Sequence, residues 1–119
     1  MLEQVHDPKI EVLIVWEPVL LTDLAPPVTS VLSRVSDRRA RQFWDGQRTL
    51  SAFIVRSAIE DPSILAPGHS MSPDTIIWDL VAVFPPGAIW SARVRPSYYG
   101  GPVMDVMDHV RSALSSPEP

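Results

Sequence analysis

The sequence predicts an α/β protein with the element order β-α-β-α-β-β-α. Three observations carry that expectation. Residues 11–15, "EVLIV", are continuously apolar after Glu11 and rich in β-branched side chains, the pattern of a strand covered on both faces. Residues 76–84, "IIWDLVAVF", form a second strand-like run, apolar but for Asp79. Near the end of the chain, Val103, Val106, Met107, Val110, Ala113 and Leu114 recur at i, i+3, i+4 and i+7, the spacing of an amphipathic helix.

The remaining elements follow from their punctuation. After the first strand, Glu17-Pro18 turns the chain. Thr22 or Asp23 can cap a helix whose first turn accommodates Pro26-Pro27. Val28, Val31, Leu32 and Val35 give that helix an apolar face, and it stops near Ser36-Asp37. Residues 41–44, "RQFW", read as a short second strand ended by Asp45-Gly46. Asp45 is placed as the N-cap of a second helix, whose buried side is Leu50, Phe53, Ile54 and Ala58, with Pro62 marking its end. Residues 63–74 have no periodicity and read as a long loop. Pro85-Pro86-Gly87 closes the third strand with turn chemistry. Residues 88–94 read as a fourth strand antiparallel to the third. Gly100-Gly101-Pro102 opens the last helix, with Pro102 at its first position, and residues 115–119 read as a frayed tail.

The bulk numbers exclude more than they assign. A length of 119 residues predicts one domain, residues 1–119. The formal net charge is −4. That charge points away from nucleic acid, whose partners carry a basic face. It also gives no attraction to anionic membranes. There is no cysteine, which removes disulfides, thiolate zinc sites and thiol redox chemistry. No apolar run reaches the ~20 residues that span a bilayer, and the first residues lack the pattern of a signal peptide. Cytoplasmic is the default expectation, and no cofactor is expected. The 13 prolines are about twice the ordinary share, and they are spread between elements. Lys9 is the lone lysine, so basic charge is nearly all arginine.

A strand–helix–strand unit followed by a hairpin and a helix resembles the thioredoxin-like core, with "VWEP", "QFWD" and "WDLVAVFPPGA" similar to cysteine-free members of unknown function. The resemblance rests on element order and covers nearly the whole chain. It implies a central mixed four-stranded sheet flanked by helices, with the first two strands parallel and the third antiparallel to them. Where thioredoxin-like proteins carry Trp-Cys-x-x-Cys, this chain has Trp16-Glu17-Pro18-Val19-Leu20. Many members also carry a cis-proline before the third strand. Pro73 is the nearest candidate and lies three residues early.

Three Trp-acid dipeptides occur, Trp16-Glu17, Trp44-Asp45 and Trp78-Asp79. On the implied topology all three reach one edge of the sheet, the edge where open α/β sheets bind ligands. His69, in the loop before the third strand, can reach the same rim. Carboxylates with an imidazole suit a divalent cation, and crowded carboxylates can raise one another's pKa toward general-acid use. The plainer reading makes Asp45 a helix cap and the tryptophans packing residues. Asp79 falls inside the third strand on this reading. Elsewhere, "DRRAR", residues 37–41, reads as a solvated cationic turn. Residues 96–101 read as an aromatic, glycine-rich turn, whose Tyr98 and Tyr99, if exposed, suit a protein interface.

Together these features predict a non-redox binding or assembly protein, with a protein partner or a second copy as its ligand. A metal- or carboxylate-dependent enzyme using Glu17, Asp45 and Asp79 is the alternative.

Overall fold

A computed structural model describes residues 2–20, 22, 24–65, 67–89 and 96–115. The chain divides into two compact units, Met1–Leu50 and Ser51–Pro119. The helix over Thr49–Glu60 begins at the end of one and continues in the other.

The first unit holds β1 (Val12–Trp16), α1 (Thr29–Leu32) and β2 (Ala40–Trp44). β1 and β2 pair in parallel, with Val12 opposite Ala40 and Trp16 opposite Trp44. Strand geometry then sets Glu11, Leu13, Val15, Arg41 and Phe43 on one face and Ile14, Trp16, Gln42 and Trp44 on the other. Leu13 is 56% exposed and Phe43 49% exposed. The apolar run at 11–15 is therefore not buried on both faces, a correction to the reading of "EVLIV". Its continuous hydrophobicity misleads because a strand open on one side carries the same letters when its open face is apolar.

α1 is one turn long, shorter than the apolar spacing at 28–35 predicts. Val28 stands at its N-cap and offers no side-chain acceptor. The Ser33 hydroxyl donates back to the Ser30 carbonyl, which competes with helix propagation. The chain continues as tighter turns, Arg34 N–H to Val31 O and Val35 N–H to Leu32 O, both 3.2 Å. Asp23, one of the two expected caps, lies outside the described residues. Its alternative Thr22 lies in a turn well before α1.

Arg39 organises this unit's turn before β2. Its guanidinium donates to both Asp37 carboxylate oxygens, at 3.0 and 2.6 Å. It also donates to the carbonyls of Val5 at 2.6 Å and Asp7 at 3.0 Å. One arginine of the expected cationic turn thus ties the chain's first residues to the start of β2. Arg41 pairs with Glu11 at 3.2 Å on the open face, both well exposed, a pair of small energetic weight.

The second unit holds α2 (Thr49–Glu60) from Ser51 onward, β3 (Val81–Val83), β4 (Tyr98–Gly100) and α3 (Val103–Ser115). Short 3-10 turns occur at Leu2–Gln4 in the first unit and at Pro62–Ile64 in the second. β3 and β4 are antiparallel, with Ala82 opposite Tyr99, and α3 packs against both. Among the described residues the buried apolar side chains are Ile54, Val55, Ala58, Leu65, Val83, Tyr99 and Val110, all in this unit. Val110 is 2% exposed, which makes it the centre of α3's inward face. The periodicity that predicts α3 is the periodicity of this contact.

The described strands form two two-stranded sheets, which corrects the expected four-stranded sheet. Two local facts account for the difference within this unit. Asp79 has φ +46°, a left-handed backbone that cannot lie in an extended strand, so the run at 76–84 supplies a strand only at Val81–Val83. Asp79 therefore stands in the approach to β3 and not inside it. The partner of β3 is Tyr98–Gly100, which the sequence reads as a turn. The expected fourth strand at 88–94 falls mostly on residues 90–95, outside those described. Its opening turn is present, with the Ala88 N–H on the Pro85 carbonyl and Gly87 at φ +72°. The cis peptide among the described residues is Gly101–Pro102, not the bond before Pro73.

Candidate functional site

The sequence points to seven rim residues. Trp16, Glu17, Trp44 and Asp45 belong to the first unit, and His69, Trp78 and Asp79 to the second. Each group has its own local geometry.

In the first unit the parallel register sets Trp16 beside Trp44. The Asp45 N–H then donates to the Trp16 carbonyl at 2.8 Å, so both Trp-acid dipeptides leave the sheet at the same end. The Trp16 indole is not free to meet a ligand by its N–H. Its Nε1 donates to Gln42 Oε1 at 3.0 Å, and Gln42 Nε2 donates onward to the Leu32 carbonyl at 2.9 Å. Gln42, which the sequence reading passes over, links β1, β2 and the carboxyl end of α1. Gly46 leaves room for the second indole, because a Cβ there would sit 3.0 Å from Trp44 Nε1.

Asp45 serves the amino end of α2. Its Oδ2 accepts the Leu50 N–H at 2.8 Å. Hydrogen bonding from the Leu50 N–H, with further help from the backbone of Thr49 and Gln47, holds the Asp45 carboxyl below the usual carboxylate range. The helix begins at Thr49, one turn later than an N-cap at Asp45 requires. The cap is thus made from a distance of several residues through the 45–48 turn, where Arg48 takes φ +55°. A carboxylate held ionised by backbone N–H groups is a poor general acid.

In the second unit Trp78 is 59% exposed, and His69 and Asp79 are exposed. Asp79 Oδ2 accepts the Val103 N–H at 3.2 Å, which supplies α3 with a cap from 24 residues away. The same corner is tight on its other side, since a Cβ at Gly101 would lie 2.6 Å from the Asp79 carbonyl oxygen.

The tyrosines differ from one another. Tyr98 stacks on His109 of α3, ring centroids 6.0 Å apart and planes within 5°. Tyr99 is 6% exposed, so it is a core residue and not an exposed contact, contrary to its reading as interface. Burial pushes its phenol above the usual tyrosine range, and its hydroxyl has no hydrogen-bond partner among the described residues. The alternation that buries it is visible only once Tyr98–Gly100 is known to be a strand.

Among the described residues no group of three or more His, Asp or Glu side chains is placed to hold a metal ion. Among them, too, no helix is long and apolar enough to cross a membrane. Comparison of the chain with protein-family models, with curated proteins and with solved structures finds no match.

Proposed function

We propose that this chain is a non-redox binding protein whose contact surface is the open face of the β1–β2 pair, and that a second copy of the chain is its partner. The observation that carries the reading is an exposed apolar pair, Leu13 and Phe43, on one face of a parallel two-stranded sheet. Parallel strands are normally covered on both faces, and adjacent exposed large apolar side chains mark contact surfaces. The same face carries one acid and one base, Glu11 and Arg41. Such a face is complementary to itself about a two-fold axis, which favours a like partner.

The absence of cysteine excludes thiol–disulfide exchange, since no thiolate exists to attack. The chain is read as a cysteine-free relative of the thioredoxin-like class. Its element order, the parallel direction of β1 and β2, and the antiparallel pair leading into α3 support that reading.

The test is molar mass by light scattering across a wide range of protein concentration, for the wild type and for Leu13→Asp and Phe43→Asp. The expected result is a mass that rises toward that of two chains in the wild type and stays near one chain in both variants. Circular dichroism establishes that the variants are folded. A wild-type mass that never departs from one chain overturns the partner assignment. A dimer that persists in both folded variants overturns the surface.

A further inference from the structure

We draw no further inference here: the strongest candidate, the Trp78–Asp79 corner at the amino end of α3, is a helix N-terminus whose nearest carboxylate already accepts the Val103 N–H, and no second observation there points to a ligand.

Discussion

Two aspartates show how a single carboxylate is committed by its neighbours. Asp79 combines a left-handed backbone with a hydrogen bond to the first N–H of α3. Replacing it by alanine removes the cap, worth about 0.5–2 kcal/mol, and leaves a Cβ residue at a positive φ without the local polar bonding that eases it. Replacing it by glycine removes the cap and relieves the backbone. Thermal melts are therefore expected to rank Asp79→Gly above Asp79→Ala. The reverse order would mean that the left-handed conformation does not hold at this position. Asp37 is the second case. The Arg39 guanidinium, followed by the Arg39 N–H, lowers its carboxyl to about 2. The sign follows from linkage: a depressed folded-state value contributes stability above the unfolded value of about 3.9, and that stability fades as pH falls toward the folded value. Acid titration of wild type against Asp37→Asn, followed by circular dichroism, is expected to show their stabilities converging between about pH 4 and pH 2. A constant difference across that range would show that the Asp37–Arg39 pair does not form. The composition of "DRRAR" suggests neither bond, because a turn's charges do not say which carbonyls lie within reach.

At the scale of elements, legibility tracks how local the cause is. α3 is written in its own residues, from Pro102 before it to the apolar spacing through Leu114. α2 is nearly as plain, and Ile54 and Ala58 are buried as their spacing predicts. Both strands of the first pair lie within a residue or so of the positions their composition suggests. β3 and β4 were legible only in part. Asp79 cuts the long run at 76–84, and Tyr98–Gly100 becomes a strand because Val81–Val83 lies beside it. Gln42 is the element-level feature with no sequence signal. It takes the Trp16 indole N–H and gives its own to Leu32. Gln42→Leu removes both bonds and leaves the Trp16 indole N–H without its partner, while the Leu32 carbonyl keeps the Val35 N–H, a cost of about 1–3 kcal/mol. In a double-mutant cycle with Trp16→Phe, urea unfolding is expected to give a coupling above about 0.5 kcal/mol. Additive losses would show that the indole and the amide do not interact.

At the scale of the molecule, two of the candidate rim's three acids serve helix ends. Asp45 and Asp79 each accept an N–H at the start of a long helix, and among the described residues no group of three or more His, Asp or Glu side chains is placed to hold a metal ion. Melting temperature is therefore expected to stay unchanged across a panel of divalent cations and EDTA, for both wild type and Asp79→Asn. A site filled at about 100 times its dissociation constant would add about 2.7 kcal/mol, a rise of many degrees for a chain of this size. A cation-specific rise in wild type that vanishes in the variant would bring forward the metal- or carboxylate-dependent alternative. Any such result would also leave the open β1–β2 face untouched, since Leu13 and Phe43 carry no metal-binding group.

Composition and pattern by themselves determined what needs no long-range partner. The chain has no cysteine and so no thiol chemistry. It mixes helices and strands, and its long helices sit where apolar spacing and proline place them. Tertiary structure alone decided which strands pair, that Tyr99 is core while Leu13 and Phe43 are surface, and that two rim carboxylates act as helix caps. The physical reason is separation along the chain. A helix is held by bonds four residues apart. The Trp16–Gln42 and Asp79–Val103 bonds instead join residues 26 and 24 positions apart, and only the folded backbone brings such groups within reach.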